Sequence, residues 1–525
     1  MTRVAGIDFG TASVRVSIVD SERGRVALGS ASYPVRRKTG NPDFATQCHA
    51  DHCHALESAF RAALSQDVEG SQIAALAVDT TGSTVVPVDV HLQPLDDYAL
   101  WCDHRAWREA AEITAKAREH KLAALDWCGG TYSPEWGFAK VLHWLRANPT
   151  RHAQFYTAVE HCDLMVATLC GLTDAAQLPR SICAAGHKWM WNAALGGLPS
   201  EDFLNSVDPL LGRLRSRMQG PYAASNTLAG RLSSEWAHRL GLKPGIPIPM
   251  GALDAHWDAV GAGCRPGDVV NVIGTSSCIM ALCEQMRLIP GVSGVVSGSI
   301  DPDKVGIEAG LSAVGDLFEA IARRAGKTVG ELAAATQNYP AGQTGLLRFA
   351  WDNGDRSVLV DPTLSGITVG WRLNHTAADE FFAAIEGTAF HTRIILERLQ
   401  LYGVPLERVI NSGGIPQRND TLNRIYANVL GKPILVPTTD TTSFGAAVFA
   451  FLAAGTFQSI AQAQSALASG YRVIDPDPHD TEIYNSLYPR FTELYYQFAA
   501  AVGRRPPNWA LQPAVSGDVG GKTSA

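Results

Sequence analysis

The sequence predicts an α/β protein in which two similar lobes face one central cleft. A duplicated pattern is the first observation: residues 4–20 and residues 268–282 each read as two β-strands joined by a Gly-Thr turn. These two hairpins stand near the starts of the two halves of the chain. The length is the second observation, because 525 residues exceed one ordinary domain and two to four domains are expected.

Composition limits the partners and the compartment. The net charge of −7 and pI near 6.1 argue against nucleic acid or an anionic membrane as a main partner. An anionic ligand would therefore need local backbone donors and a metal ion. The ten cysteines form no CxxC pair, which argues against a disulfide framework or a zinc ribbon. The first residues run directly into a predicted strand, and no apolar run could span a bilayer, so we expect a cytoplasmic enzyme.

The turn within residues 4–20 has the chemistry of a phosphate site. Gly10 allows backbone N–H groups to approach an anion closely, and the hydroxyls of Thr11 and Ser13 are further donors. Asp8, at the end of the first strand, can orient water molecules on a magnesium ion that bridges phosphates. The hairpin lacks the strand–loop–helix context of a P-loop, and an ordinary surface hairpin with a polar tip is the alternative.

Three further polar groups each have two interpretations. Residues 48–54 carry Cys, His and Asp, but they lead into an amphipathic run, which favours a loop and helix start over a structural zinc site. Trp101, Asp103 and Arg105 are either a sugar-facing group or a core Trp beside a helix capped by Asp103, where a long helix opens. Lys188 lies beside two tryptophans, where it either snorkels or presents its ammonium group to substrate oxygens.

A strand-to-helix turn in the middle of the chain places one carboxylate where it can face a cleft. Residues 247–253 are Pro-bounded and apolar, and Asp254 follows at the start of an Ala- and Val-rich helical pattern. Such a group is held by rigid elements, which suits a general base that must reach a substrate hydroxyl. The alternative is that Asp254 only caps the helix.

The second half adds two more candidate sites. The turn at residues 274–276 joins two predicted strands through a Gly-Thr sequence, as the first hairpin does, and so has the same capacity to bind phosphate. We place Glu308 at a strand-to-helix junction, where it binds a ligand or caps a helix that begins at Leu311. The turn at residues 413–414 follows a buried strand and precedes a helix from Asp420. Its bare backbone would let a flat heterocycle lie against it.

The C-terminal residues from Arg504 are rich in Pro, Gly and Ser and are expected to be disordered. Residues 517–523 nearly form a P-loop within this tail. The spacing is one residue short, and only two residues follow, so no helix can receive a phosphate there. We reject that motif.

In this order and spacing, the motifs resemble the FGGY family of carbohydrate kinases, within the hexokinase/actin-like ATPase superfamily. The likeness runs from about residue 4 to about residue 495. It lies in the first phosphate motif Asp8-x-Gly-Thr-x-Ser-x-Arg15, the second phosphate motif Gly274-Thr275-Ser276 and the adenosine motif Ser412-Gly413-Gly414. The resemblance implies two actin-like (ribonuclease-H-like) lobes around a central cleft. These would be residues 1–264, which bind the sugar, and residues 265–500, which bind the nucleotide, with residues 504–525 as a tail.

The resemblance also implies the ligands and the residues that hold them. The stretches at residues 78–84, 129–136, 184–188, 306–312 and 414–419 are most similar to the branch that phosphorylates L-ribulose, a ketopentose, at its 5-OH. ATP and Mg²⁺ are the implied cofactors, and we expect a homodimer. Asp254 would be the catalytic base, and Gly82, Lys188 and Glu308 would bind the sugar with it. The residues implied for the nucleotide are Gly10, Thr11, Ser13, Arg15, Gly274, Thr275, Ser276, Gly413, Gly414 and Asn419, with Asp8 reaching Mg²⁺ through water.

Two departures bear on sugar specificity, and three alternatives stay open. The segment at residues 326–366 is shorter than the insertion usual in the family, and Cys102 stands where a Lys is frequent. One alternative is another FGGY kinase that acts on D-ribulose, D-xylulose or another ketose. A second is a non-catalytic nucleotide-binding scaffold or sugar sensor, although such a protein need not keep a base at Asp254. A third is a metal-binding protein built on residues 48–54.

Overall fold

The predicted duplication appears as two sheets of the same topology in the computed structural model, which describes residues 1–467 and 470–502. The strands of the first half are β1 (Arg3–Phe9), β2 (Ser13–Asp20), β3 (Gly24–Ser32), β4 (Arg36–Lys38), β5 (Asn41–Gln47), β6 (Ile73–Thr80), β7 (Val85–Val88), β8 (Tyr98–Ala99), β9 (Thr157–Glu160), β10 (Arg180–Ser181), β11 (Tyr222–Ala223), β12 (Leu228–Arg231), β13 (Pro247–Pro249) and β14 (Ala252–Leu253). Those of the second half are β15 (Asp268–Ile273), β16 (Ser277–Cys283), β17 (Gly294–Ser297), β18 (Val305–Leu311), β19 (Leu347–Phe349), β20 (Ile367–Val369), β21 (Arg408–Ser412), β22 (Ile434–Pro437) and β23 (Tyr471–Ile474).

Helices cover the faces of these sheets and connect their strands. In the first half they are α1 (His49–Leu64), α2 (Trp107–Glu119), α3 (Ala123–Asp126), α4 (Gly137–Ala147), α5 (His161–Cys170), α6 (Ile182–Lys188), α7 (Glu201–Val207), α8 (Pro209–Arg215), α9 (Ser234–Leu240) and α10 (Asp254–Gly261). In the second half they are α11 (Gly315–Arg324), α12 (Val329–Thr336), α13 (Ala377–Leu401), α14 (Asp420–Leu430), α15 (Thr442–Ala453), α16 (Ile460–Leu467) and α17 (Pro478–Val502).

Each main sheet is built around an antiparallel hairpin. In the first sheet the order is β14-β6-β1-β2-β3, with β3 antiparallel to β2 and with β6 and β14 added in parallel beyond β1. In the second the order is β17-β18-β16-β15-β21-β22-β23. There β18 is antiparallel to β16, and β21 and β22 are added in parallel beyond β15. The equivalent strands confirm the predicted pair of actin-like lobes. Their carboxyl-terminal turns, after β1 and β15, are the two predicted phosphate turns.

A third sheet, ordered β4-β5-β8-β7-β9, is inserted in the first half. Helices α2, α4, α7 and α8 form a separate apolar core beside it. This insertion brings Trp101 and the β6–β7 turn towards the main cleft.

Two helices join the lobes. Helix α10 ends the first half, and α15, from the second half, packs on β1 of the first sheet. They meet at glycines: a Cβ on Gly261 would lie 1.9 Å from the Thr441 carbonyl oxygen, and one on Gly445 would lie 1.8 Å from that of Trp257. Only glycine permits this backbone contact. The core around the crossing draws on both sheets, so it connects one lobe to the other.

Two predicted element boundaries were wrong. Glu308 lies in the middle of β18 and the following helix begins at Gly315, so Glu308 neither marks a junction nor caps a helix. Helix α2 begins at Trp107, seven positions after Leu100, and its N-cap residue is Ala106 rather than Asp103. No helix in residues 1–467 or 470–502 is long and apolar enough to cross a membrane. The predicted disordered tail and its rejected P-loop motif lie outside the described residues.

Candidate active site

A cleft of about 270 Å³ lies between the two sheets. Its walls bring together most of the residues that the sequence singled out, from both halves of the chain. The lining residues are Asp8, Gly10, Thr11, Arg15, Thr81, Gly82, Ser83, Trp101, Glu135, Lys188, Leu253, Asp254, Ala255, His256, Asp258, Val272, Gly274, Thr275, Ser276, Cys278, Met280, Glu308, Arg356 and Thr442.

Asp254 is the first residue of α10 and lies on the wall of this cleft. The N-cap residue is Leu253, so Asp254 does not cap the helix in the usual sense, although one carboxylate oxygen accepts a hydrogen bond from the Ala255 N–H at 2.7 Å. Burial and the nearby Asp8 carboxylate raise the pKa of Asp254 to about 7, against the lowering effects of Ala255 and Lys188. A carboxyl with that pKa can take up a proton near neutral pH.

The two phosphate turns form one side of the cleft. The Gly10 N–H donates to the Ser13 carbonyl at 3.0 Å, which closes the first turn, and the Trp101 indole N–H donates to Thr11 Oγ1 at 3.1 Å. Gly274 closes the second turn in the same way, with its N–H on the Ser276 carbonyl at 2.9 Å. The Ser13 side chain does not line the cleft, so its predicted phosphate contact stays a prediction.

Asp8 and Arg15 form an ion pair at the base of the first turn. The Arg15 guanidinium donates to Asp8 Oδ2 through Nε at 2.9 Å and Nη2 at 2.5 Å. Burial outweighs this pairing and leaves the pKa of Asp8 raised. The other oxygen, Oδ1, is buried and accepts no hydrogen bond from residues 1–467 or 470–502. A hard, unpartnered carboxylate oxygen in the cleft is what a hydrated magnesium ion requires.

Asp79 is a second buried carboxyl beside Asp8, and the sequence analysis missed it. The two residues are direct partners in the parallel β1–β6 register, and Asp79 is fully buried. Burial, followed by the charges of Asp8 and Asp254, raises its pKa well above the ordinary value. Two carboxyl groups so close together disfavour a charge on both, and the Arg15 guanidinium favours the charge on Asp8.

Lys188 and Glu308 form a buried ion pair across the cleft. The Lys188 ammonium, at the end of α6, donates to both Glu308 carboxylate oxygens at 2.7 and 3.0 Å. Burial alone would lower the pKa of Lys188, but the charge of Glu308 and its hydrogen bond together outweigh burial and raise that pKa. Burial alone would raise the pKa of Glu308, but Lys188 and the two nearby histidines together hold it well below its usual range. Both groups thus stay charged at the cleft surface.

Two histidines support Glu308 from behind. His187 Nδ1 lies 3.3 Å and His256 Nε2 lies 3.6 Å from Glu308 Oε2, and both rings are buried. Burial lowers the pKa of each imidazole, that of His256 to about 4, so both are neutral at pH 7. This His–His–Glu group has the composition of a metal site, but the Lys188 ammonium already supplies the opposing charge. We interpret the histidines as residues that position the carboxylate.

Gly82 lies in the β6–β7 turn and lines the cleft close to Lys188. A Cβ there would lie 3.1 Å from Leu253 Cδ1 and 3.4 Å from Lys188 Cε. The buried Lys140 ammonium donates to the carbonyl of the next residue, Ser83, at 2.6 Å and so fixes this turn. The predicted contact between Gly82 and the sugar stays a prediction.

The predicted adenosine turn lies next to the second phosphate turn but outside the cleft lining. Gly413 has a φ of +91° and follows β21, and a Cβ on it would lie 2.5 Å from the Ile273 carbonyl oxygen. Asn419 caps α14, since its side chain accepts from the Leu422 N–H at 3.0 Å. Nucleotide contacts of Gly413, Gly414 and Asn419 stay predictions.

Asp258 connects the base helix to this nucleotide side, and the sequence analysis did not single it out as functional. It lies one turn after Asp254 on α10. Its carboxylate accepts from Ser412 Oγ at 2.5 Å, Thr442 Oγ1 at 2.7 Å and Thr441 Oγ1 at 3.0 Å. These donors precede the adenosine turn and begin α15, so one carboxylate ties three elements together.

Trp101, Asp103 and Arg105 do not form one group in the structure. Trp101 lines the cleft, whereas Asp103 and Arg105 form an ion pair at 2.8 Å in a different cavity of about 280 Å³. In residues 48–54, His52 stacks on Tyr98 and bonds to His161, and His49 bonds to the Tyr98 hydroxyl at 2.7 Å. These rings are used in packing, as the helix-start interpretation of residues 48–54 predicts.

Arg356 and Glu135 also line the cleft. Glu135 lies within the stretch at residues 129–136 that carries the family resemblance, but it was not named as a site residue, and no motif pointed to Arg356. Their placement depends on tertiary packing.

Family models match both halves of the chain. The N-terminal domain of the "FGGY family of carbohydrate kinases" matches residues 3–261, and the C-terminal domain of that family matches residues 269–454. Among curated relatives, the ribulokinase of Shouchella clausii (strain KSM-K16) is 34% identical over 539 residues, covering 94% of each chain. The ribulokinase of Mycolicibacterium smegmatis is 34% identical over 545 residues, covering 96% of this chain and 94% of its own.

Solved structures share the fold at lower identity. A ligand-bound xylulose kinase from Lactobacillus acidophilus superposes with a TM-score of 0.79 at 19% identity, covering 96% of this chain and 99% of its own. Glycerol kinase of Plasmodium falciparum with ADP superposes with a TM-score of 0.76 at 18% identity, covering 94% and 98% respectively.

Proposed function

The chain belongs to the FGGY family of carbohydrate kinases, and from this premise we propose that it transfers the γ-phosphoryl group of ATP to the 5-OH of L-ribulose. The observation that carries the proposal is the position of Asp254. It lines the cleft together with the two phosphate turns and the Lys188–Glu308 pair, and the charges of Asp8 and Lys188 both act on its carboxyl group. The two curated relatives are named ribulokinases and match this chain over almost their full length, which supports L-ribulose as the ketose.

The reaction follows from this arrangement. Lys188 donates hydrogen bonds to sugar oxygens and the Glu308 carboxylate accepts them from sugar hydroxyls, which fixes the ketose with its terminal hydroxyl towards Asp254. The hydroxyl oxygen attacks the γ-phosphorus, its proton passes to Asp254, and the bond between the γ-phosphorus and the β,γ-bridging oxygen breaks. Positioning and charge neutralisation supply most of the rate enhancement in such a transfer.

The nucleotide phosphates need positive partners in this acidic protein. Backbone N–H groups of the turns after β1 and β15 would face them, and Arg15 adds a charge beside the first turn. The unpartnered oxygen of Asp8 fits a hydrated Mg²⁺ ion that arrives with ATP. That ion would neutralise phosphate charge and shield the leaving group.

A substrate panel tests the proposal. Purified protein with ATP and Mg²⁺ is assayed for ADP release against L-ribulose, D-ribulose, D-xylulose, L-xylulose and glycerol. We expect L-ribulose to give the largest kcat/KM and a 5-phosphate product by NMR. Preference for another ketose would overturn the assignment of L-ribulose as the substrate, but the assignment of kinase activity would still hold. Absence of turnover on every sugar, with nucleotide still bound, would favour a sensor.

A further inference from the structure

We propose that Arg356 is a further catalytic residue. Its guanidinium contacts the phosphoryl group from the sugar side of the cleft while that group passes from ATP to the sugar. The inference rests on the proposed kinase reaction and deepens it. Arg356 comes from the segment between β19 and β20, which belongs to no phosphate or sugar motif.

The guanidinium lies between the two ligand sites. Its Nη2 donates to Ser276 Oγ at 3.2 Å and to the Ser277 carbonyl, at the second phosphate turn. On its other side a smaller cavity of about 50 Å³ is lined by Arg356 together with Glu135, Lys188 and Glu308. Arg356 therefore adjoins both the second phosphate turn and the Lys188–Glu308 pair.

Arg356 forms no direct ion pair among the described residues, although the charges of Glu135 and Glu308 act on it from the same cleft. Within residues 1–467 and 470–502, no carboxylate lies within 4.0 Å of the guanidinium, and Nε is buried without a hydrogen-bond partner. The guanidinium is partly exposed to the cleft, so an anion that enters the cleft can pair with it directly. Asp254 and Glu308 are assigned to the sugar, and Glu135 pairs with His104 at 3.3 Å, which leaves a phosphoryl group as the matching ligand.

The backbone holds this side chain rigidly. The preceding residue, Asp355, does not line the main cleft, and its carboxylate accepts from Tyr495 Oη at 2.7 Å and Trp351 Nε1 at 3.1 Å. Two following β-branched residues, Val358 and Val360, have φ values of +75° and +50°. Such strain persists only where the surroundings enforce it, and it is frequent at functional sites. Arg356 is thus pre-organised to stabilise charge that develops in the transition state.

The experiment compares Arg356→Gln and Arg356→Lys with the wild type. We expect Arg356→Gln to lower kcat by about 100- to 1,000-fold, the scale for removing one pre-organised donor, with each KM changed less than about threefold. Arg356→Lys keeps the charge and should retain more activity. Arg356→Ala should regain activity when guanidinium is added at millimolar concentration. The matched control is Arg323→Gln, an exposed arginine of the same lobe, which should match the wild type.

Each other outcome is informative. Equal losses in the Gln and Lys variants without rescue by guanidinium, or a raised KM for ATP with kcat retained, would show that Arg356 only anchors the turn at residues 276–278. Thermal denaturation of each variant identifies a folding defect. If the wild type phosphorylates no ketose, the proposed function fails by itself, and the same variants are then compared by ATP hydrolysis to water. Hydrolysis that is insensitive to Arg356→Gln would overturn the inference.

Discussion

At the scale of single residues, chemistry in the cleft depends on which carboxyl groups carry charge. Four aspartates, Asp8, Asp79, Asp254 and Asp258, lie in or beside it, and burial raises the pKa of each. The four carboxyl groups differ, however, in the residues that surround them. Asp8 pairs with Arg15, Asp79 lies beside Asp8, Asp258 accepts from three hydroxyl groups, and Asp254 lines the cleft. Such separation assigns different roles to chemically identical groups.

The pH dependence of turnover should follow Asp254. Its pKa is raised to about 7 and the base must be deprotonated to accept the hydroxyl proton, so kcat/KM for the sugar should rise with pH below about 7 and level off above it.

Asp254→Asn should lose at least ~100-fold in kcat. Steady-state rates across pH check both statements, with the exposed Asp126→Asn as control. Near-normal turnover by Asp254→Asn would refute the assignment of the base.

Lys188 should act on the sugar and not on the nucleotide. Removing a hydrogen bond to a charged group costs about 1.5–3 kcal/mol, so Lys188→Ala should raise the sugar KM by about 10- to 100-fold and the ATP KM by less than about threefold. The variant leaves Glu308 buried without its cation, so Lys188→Met combined with Glu308→Gln is the folding control. A larger change in the ATP KM than in the sugar KM would place Lys188 in the nucleotide site.

At the scale of elements, the contact between α10 and α15 has no room for a side chain. A Cβ on Gly445 would lie 1.8 Å from the Trp257 carbonyl oxygen, so Gly445→Ala must push the helices apart. We expect a loss of at least about 1–3 kcal/mol in the free energy of unfolding, measured in urea. Gly330→Ala is the matched control, because Gly330 is an exposed helix residue and a Cβ there would come no closer than 3.9 Å to Thr328 Oγ1, an ordinary contact distance. Equal stability of the two variants would contradict the close contact.

The same scale shows how far sequence reasoning reaches. Hairpins such as β1–β2 and β15–β16 could be predicted, because their strands are continuous apolar runs and their turns have distinctive residues. Glu308 was assigned to a junction because periodicity does not locate the end of a buried strand such as β18. The Asp8–Asp79 pair and the approach of Arg356 to Ser276 depend on strand register and loop packing, which local sequence does not encode.

At the scale of the whole molecule, the sugar should draw the lobes together. Lys188 and the base belong to the first half of the chain, whereas Glu308 and Arg356 belong to the second. A ligand that contacts both halves favours the closed arrangement, and closure excludes water from the transfer. Small-angle X-ray scattering should show a smaller radius of gyration with L-ribulose and a non-hydrolysable ATP analogue. Unchanged scattering at saturating ligand, with oligomeric state held constant, would contradict closure.

The glycine crossing of α10 and α15 also determines what kind of movement such closure can be. The two helix backbones touch at Gly261 and Gly445, so they cannot slide past each other without collision, but they can rotate about this contact. Asp254 is seven residues from Gly261, about 10 Å along the helix, so it lies close to the centre of the rotation. A swing that carries the outer rims a long way would therefore leave the proton acceptor almost where it started.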